Sequence, residues 1–241
     1  MIVLFTDFGL AGPYTGQMKA VLRGNAPATE LIDLFADAPA GDPRASAYLL
    51  AAYAAWFPPG TVFLCVVDPG VGGTRAAVAV EADRRWYVGP ENGLFELILR
   101  HAPNAHYFEI VWRPEQLSAS FHGRDLFAPV AAMLARGERP EMRPRAPARR
   151  PDWPDDLAEI VYVDHYGNAL TGLRASAVPP SATLVLGDKT RVIHAATFSA
   201  VIEGSAFWYE NSNGLVEIAV NRGRAADRLH LKIGSTLAIE T

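Results

Sequence analysis

The chain has 241 residues, enough for one large domain or two modest ones. Half of them are hydrophobic and a fifth are charged, an ordinary globular composition that excludes a disordered chain. A net charge of -4 argues against a nucleic-acid partner, and a single cysteine, Cys65, allows neither a disulfide framework nor a thiolate zinc site. No apolar run approaches the ~18 residues a membrane span needs. The start, Met1 to Asp7, lacks a basic region and places an acid too early for a signal peptide. The expected compartment is the reducing cytoplasm, with no membrane partner.

Residues 2–5 form a short apolar run ending in Thr6-Asp7-Phe8-Gly9, which predicts a strand and then a turn. Residues 14–23 predict a helix stopped by Gly24-Asn25, and residues 29–34 a second strand. At Asp42-Pro43 an acid can cap a helix whose first position is proline. The helix expected over 44–57 is alanine-rich and nearly apolar all round, hence buried; Pro58-Pro59-Gly60 ends it. The β-branched and apolar run 61–67 predicts a buried strand. Asp68 follows at once, then a glycine-rich turn, then Arg75. Residues 76–82 and 85–88 predict a hairpin across Asp83-Arg84. Gly89-Pro90-Glu91-Asn92-Gly93 reads as a loop at a strand end, 94–100 as a helix and 105–111 as a strand. Residues 118–122 approach His122-Gly123-Arg124-Asp125, from which a helix over 126–136 departs.

This alternation predicts an α/β domain with a mostly parallel sheet over residues 1–142. Prolines 140, 144, 147, 151 and 154 and the arginines 143, 145, 149 and 150 suggest a solvated linker over 143–155. Beyond it lie short strand-like runs at 159–163, 182–186, 191–194, 207–209, 215–220, 229–233 and 236–239, with no convincing helix between them. Residues 156–241 are therefore expected to form an all-β barrel or sandwich.

In open α/β sheets ligands sit beyond the carboxyl ends of the strands. Asp7, Asp68 with Arg75, and Glu91 with Asn92 fall at such ends, and His122 at the end of a further apolar approach. Asp7 is either a turn former or a carboxylate for a pair of ligand hydroxyls. Asp68 and Arg75 are either a capped turn with a surface ion pair or a site of chemistry. His122 is either a surface histidine beside Arg124 and Asp125 or an acid, base or orienting donor. The histidines show no metal-ligand spacing. In the second half, Asp164 to Asn168 and Asn211-Ser212-Asn213-Gly214 are good hairpin turns. Asn168 also has the donor and acceptor suited to an adenine edge. Phe198, Phe207, Trp208 and Tyr209 either belong to the core or stack a base.

Six motifs occur in one order: Thr6-Asp7-Phe8-Gly9, Val67-Asp68-Pro69-Gly70-Val71-Gly72 to Arg75, Gly89-Pro90-Glu91-Asn92-Gly93, Phe121-His122-Gly123-Arg124-Asp125, Asp164 to Asn168, and Asn211-Ser212-Asn213-Gly214. Together they resemble the S-adenosyl-L-methionine (SAM) hydroxide adenosyltransferases, or SAM hydrolases, relatives of the fluorinase and chlorinase. The resemblance implies an α/β domain, a C-terminal β-barrel, and a homotrimer with sites between subunits. It implies hydrolysis of SAM to adenosine and L-methionine, with no metal or other cofactor. The catalytic set would fall on Asp68, Arg75 and His122, and the ribose-binding acid on Asp7 beside Phe8. Asn168 would meet adenine, Asp164 and Ser212 the methionine part, and Tyr166, Glu217 and Val220 would lie near the ligand. The halogenases lack the acid at position 68 and the histidine at 122, and carry a threonine where this chain has Val71. That disfavours a halide nucleophile. A halogenase-type transferase, a SAM- or adenosine-binding protein with little turnover, and a metal-dependent hydrolase remain the rival readings.

Overall fold

Ile2–Thr6 form strand β1, every residue buried. In the computed structural model, which describes all residues from Met1 to Thr241, the chain divides into two units. One comprises Met1–Leu50 and Ala54–Arg150, the other Ala51–Tyr53 and Pro151–Thr241.

In the first unit β1 is followed by helix α1 (Tyr14–Asn25), β2 (Leu31–Phe35), α2 (Pro43–Ala54), β3 (Val62–Val66), β4 (Ala77–Ala82), β5 (Arg85–Pro90), α3 (Glu96–His101) and β6 (His106–Ile110). Then come a π-helical turn (Gly123–Phe127), α4 (Ala128–Ala135) and β7 (Met142–Pro144). Helix α2 starts as its sequence demands. Asp42 Oδ1 accepts the Ala45 N–H at 3.0 Å, and Pro43 occupies the first position, where no N–H is needed.

The seven strands order as β2-β1-β3-β5-β4-β6-β7. The sheet is mixed rather than mostly parallel: β2–β1, β1–β3 and β3–β5 run parallel, whereas β5–β4, β4–β6 and β6–β7 run antiparallel. The cause is the tight β4–β5 turn, where Asp83 and Arg84 both take left-handed φ values of 49° and 60°, matching the twist of a two-residue hairpin. Strand β5 inserts beside β3 and leaves β4 reversed outside it. The reversal positions the site. An antiparallel β4 begins at the edge where β3 ends, so the segment joining them need not cross the sheet. One face of the sheet packs Ile2, Leu4, Leu64 and Val88 against Met18 and Leu22 of α1 and Val130 and Ala131 of α4.

The arginine-rich stretch is mostly exposed, and a short strand and ion pairs tie it to the first unit. Arg143 and Pro144 pair with β6 as part of β7. Arg143 and Arg145 bond Glu109, and Arg149 clasps the buried Glu96 on α3. Hydrogen bonds from Arg149, Arg100 and the Arg150 N–H hold the Glu96 carboxyl below its ordinary range against the opposing effect of burial.

The second unit holds β8 (Leu157–Val163), β9 (Ala169–Arg174), β10 (Thr183–Leu186), β11 (Arg191–Val192), β12 (Ala206–Glu210), β13 (Leu215–Val220), helix α5 (Ala225–Arg228) and β14 (Leu237–Glu240). They form two antiparallel sheets, β12-β13-β9-β8 and β11-β10-β14, with no ladder closing them into a barrel. Two departures from the sequence reading stand out. Strand β9 is absent from that reading, because Ala169 and Gly172 weaken its local β signal; pairing with both β8 and β13 overrides that. Residues 229–233 form no strand, since Ala225–Arg228 turn into α5 and Leu229 caps it.

Candidate active site

Thr6 pairs with Val66 across the parallel β1–β3 ladder, so Asp7 and Asp68 emerge side by side at one sheet edge. Asp7 Oδ2 accepts the Gly41 N–H at 2.8 Å. Burial raises the Asp7 carboxyl above its ordinary range; the Gly41 bond opposes this, and the Asp68 charge adds to it.

Beyond β3 the chain turns through Gly70 to Gly73 and returns to β4, bringing Arg75 onto Asp68. The guanidinium forks over the carboxylate: Nε donates to Oδ1 at 3.0 Å and Nη2 donates to Oδ2. The Asp68 side chain is 4% exposed and that of Arg75 12%, so this is a buried bidentate pair and not a surface ion pair. Arg75 Nη2 also lies 3.0 Å from His122 Nδ1. A guanidinium only donates. His122 Nδ1 is therefore the acceptor, and the neutral imidazole carries its proton on Nε2. Burial first, and the Arg75 charge second, hold His122 below the ordinary 6.5, with Asp68 opposing.

His122 is not at a strand end. No strand lies between Ile110 and Met142. It stands at the N-terminus of the π-helical turn Gly123–Phe127, in which the Ala128 N–H reaches back to the Gly123 carbonyl. Pro129 cannot donate to the Asp125 carbonyl, which favours the wider turn just before it. The same turn puts the Phe127 ring under Arg75, with Cζ 5.2 Å from the ring centroid. The preceding loop is held by Asp125, which accepts the Ser118 N–H at 2.9 Å. It crosses Gly72 so closely that a Cβ there would overlap the Ala119 carbonyl oxygen. Phe8, Tyr14 and Phe121 pack mutually edge-on or tilted, with centroids 5.4–5.8 Å apart, forming an aromatic wall beside Asp7 and His122.

Glu91 and Asn92 do not join this group through free side chains. Glu91 is bonded by Tyr107 and Arg145, and Asn92 Nδ2 donates to the Val67 carbonyl, tying down the segment that leads into Asp68. Val71, on the same loop, is exposed.

The second unit contains a cavity of about 810 Å³. Asp164, Tyr166, Asn168, Ser212, Glu217 and Val220 all line it, so the six residues of this half that the resemblance points to converge. Asp164 to Asn168 and Asn211 to Gly214 are indeed hairpin turns, joining β8 to β9 and β12 to β13. Asp164 Oδ1 accepts the Asn168 N–H at 2.8 Å and Oδ2 accepts Asn168 Nδ2 at 3.1 Å. That leaves the Asn168 carbonyl oxygen without a bond to this pair. Tyr166 projects from its turn, 74% exposed. Of the four candidate stacking aromatics, Phe207 and Trp208 are core residues, whereas Phe198 and Tyr209 line the cavity. Burial, assisted by the nearby Asp164 charge, raises the Glu217 carboxyl above its ordinary range against the pull of Tyr209 and Asn211.

Three contributors had no distinct sequence signal: Gly41 under Asp7, Phe127 under Arg75, and Leu170 in the cavity wall. Asn211 did have one, as the first residue of an Asn-Ser-Asn-Gly turn. No group of three His, Cys, Asp or Glu side chains is arranged to hold a metal ion. No helix is long and apolar enough to cross a membrane.

The chain matches the family model for the SAM hydroxide adenosyltransferase N-terminal domain over residues 2–143, and that for the C-terminal domain over residues 158–238. An (R)-S-adenosyl-L-methionine hydrolase of Thermus thermophilus is 41% identical, covering 97% of this chain and 96% of its own. One from Salinispora tropica is 36% identical over 97% and 95%. A fluorinase of Nocardia brasiliensis is 23% identical; the alignment spans 291 positions against the 241 residues here, so it carries segments with no counterpart in this chain. Among solved structures, a conserved protein from Thermotoga maritima superposes with a TM-score of 0.88 at 30% identity over the whole of both chains. With both halves matched and the motif residues gathered into two clusters, the chain belongs to the SAM hydroxide adenosyltransferase family.

Proposed function

We infer that this protein hydrolyses S-adenosyl-L-methionine to adenosine and L-methionine. The observation that carries the reading is the Asp68–Arg75–His122 cluster in a chain 41% identical to an (R)-SAM hydrolase. The relatives' name also supports preference for the R sulfonium.

The leaving group is a neutral thioether, so little acid assistance is needed on its side. The task is to hold one water in line behind the ribose C5′ carbon, which can supply up to ~7–11 kcal/mol in favourable cases. The water oxygen bonds C5′, the C5′–S bond breaks with its electron pair going to sulfur, and a water proton passes to Asp68. Each Asp68 oxygen has a second acceptor site besides the one Arg75 occupies. His122, neutral and protonated at Nε2, donates to the water oxygen and fixes its other side. Asp7 takes the ribose hydroxyls through its remaining acceptor sites, with Phe8 packing alongside. Asn168 meets the adenine edge, Asp164 and Ser212 the methionine part, and Tyr166, Glu217 and Val220 frame the ligand. No step calls for a metal or another cofactor.

The resemblance further supports a homotrimer acting in the cytoplasm, each ligand lying between the first unit of one subunit and the second unit of its neighbour. It also supports reading the two sheets of the second unit as walls of a barrel, which the isolated bridges Glu159–Thr236 and His194–Trp208 favour.

Chromatography of products from SAM, with and without chelator and halide, tests the reading. Adenosine and methionine are expected in equal amounts under all conditions; a halogenated nucleoside, chelator-sensitive turnover, or no turnover would each overturn it. Asp68→Ala and His122→Ala should lose most adenosine release yet still bind adenosine. Asp7→Ala should weaken nucleoside binding by calorimetry, and unaltered affinity would remove its ribose role.

A further inference from the structure

The Gly89 to Gly93 segment contributes no free group to the Asp68 cluster, yet it reaches the carbonyl next to Asp68. Strands β3 and β5 run parallel with Leu64 opposite Val88, and the Trp86 N–H donates to the Thr61 carbonyl at 3.0 Å. The bonds of a parallel ladder are evenly spaced and recur at every second residue. Continued by that step, the donor for the Cys65 carbonyl would be residue 90, and the donor for the Val67 carbonyl residue 92. Residue 90 is a proline and has no N–H. The Asn92 N–H is spent on the Pro90 carbonyl at 3.1 Å as the chain turns away. Val67 is fully buried, so its carbonyl needs another donor. The Asn92 side chain takes the place of its own backbone: Nδ2 donates to the Val67 carbonyl at 2.8 Å. The amide is aligned from its other end, where Oδ1 accepts the Leu94 N–H at 3.2 Å. The two strand ends meet closely here, since a Cβ on Gly89 would lie 2.2 Å from the Cys65 carbonyl oxygen.

We propose that Asn92 is a positioning residue for Asp68, holding the backbone of that residue as Arg75 holds its side chain. This deepens the proposed function and rests on it. The Val67 carbonyl and the Asp68 N–H belong to one planar peptide unit. Fixing the carbonyl oxygen therefore fixes the N–Cα bond on which the Asp68 side chain pivots. Arg75 then sets the carboxylate from the far end. A carboxylate gripped only by Arg75 could swing with it, and in-line attack tolerates little displacement. The turn itself needs only the Oδ1 bond to Leu94, two residues on. The Nδ2 bond to Val67 spans 25 positions and serves the end of β3.

Two substitutions separate the bonds. Asn92→Ser keeps a short acceptor for the Leu94 N–H but cannot reach Val67. Asn92→Asp keeps shape and acceptor but, ionised, has no donor. Val62→Ala is the control: it opens a buried site at the opposite end of the same strand. Steady-state SAM hydrolysis and melting temperature are measured for wild type and variants, with NMR hydrogen exchange of the Arg75 Nε–H, which is bonded to Asp68. Both Asn92 variants are expected to lose about tenfold in kcat, the scale of one hydrogen bond, with KM within about twofold. Val62→Ala is expected to lower the melting temperature at least as far and to keep kcat within about twofold. Arg75 Nε–H exchange should quicken about tenfold in the Asn92 variants and stay as in wild type in Val62→Ala. Should one Asn92 variant fail to fold, the other decides. An Asn92→Ser enzyme with wild-type kcat would overturn the proposal, as would a matching kcat loss in Val62→Ala or unchanged Arg75 exchange. A wild type that releases no adenosine while its Arg75 exchange still depends on Asn92 would instead refute the hydrolase reading and leave the positioning intact.

Discussion

Replacing Arg75 with lysine keeps the positive charge and removes the fork. A single ammonium can reach one Asp68 oxygen, but it cannot also reproduce the 3.0 Å bond from Nε to Oδ1 and the 3.0 Å contact to His122 Nδ1. Two hydrogen bonds made by a charged donor in a nearly dry site are therefore lost. At the low end of ~1.5 kcal/mol each they amount to about 3 kcal/mol, or roughly a hundredfold in rate if both are needed to hold the water in line. Arg75→Lys should lower kcat about a hundredfold while KM stays within about threefold, because the ribose and cavity contacts are untouched. Arg75→Ala goes further: it strands a carboxylate that is 4% exposed, a change of the kind that costs about 3–5 kcal/mol of stability. The assay is adenosine release at saturating SAM by chromatography, with a melting curve on each variant. An Arg75→Lys enzyme within threefold of wild-type kcat would refute the idea that the guanidinium's geometry, and not only its charge, organises Asp68 and His122.

Because burial and Arg75 depress the His122 pKa, the acid limb of the kcat/KM profile should fall below pH 6.5; a limb at or above that value would contradict the neutral, Nε2-protonated imidazole. The same depression means that the unfolded chain binds this proton first as pH drops below 6.5, so His122 contributes a loss of stability on acidification, and His122→Ala should flatten that part of the stability profile. Gly72→Ala combines a φ of 78° with a Cβ that would strike the Ala119 carbonyl. It should cost ~1–3 kcal/mol in melting experiments and lower kcat more than it changes KM, by pushing apart the loops that carry Arg75 and His122. Gly16→Ala, on α1 with open space around its Cβ, is the control and should be neutral or stabilising.

Much of this was legible in the residues because it is local. The buried run before Asp68, the Asp42-Pro43 helix start and the Asp83-Arg84 hairpin each carry their instruction within a few positions. The convergence of Asp7 and Asp68 followed from parallel strand ends. The reversal of β4 did not, since strand order is fixed by long-range pairing, and it is that reversal which seats Arg75. His122 was expected at the end of an apolar approach, just before a helix; its true support is a π turn whose signal, Pro129 shortly after Gly123, is indistinguishable from an ordinary helix start. The ion pairs of the exposed arginines in and after β7 were not legible, because their acidic partners, Glu91, Glu96 and Glu109, lie 34 to 54 positions earlier in the chain, beyond any local pattern. In the second unit the two turns were visible as turns. That they open on one hollow depends on β9, the strand whose composition concealed it.

The widened turn at Gly123–Phe127 has an evolutionary corollary. In a regular helix each added or deleted residue rotates everything downstream by about 100°. Here the surplus residue is taken up before α4 begins, and beyond it Val130, Ala131 and Leu134 face inward. Phe121, Leu126 and Phe127 are tied to the hydrophobic interior, so the freedom this leaves lies in the polar positions of the turn.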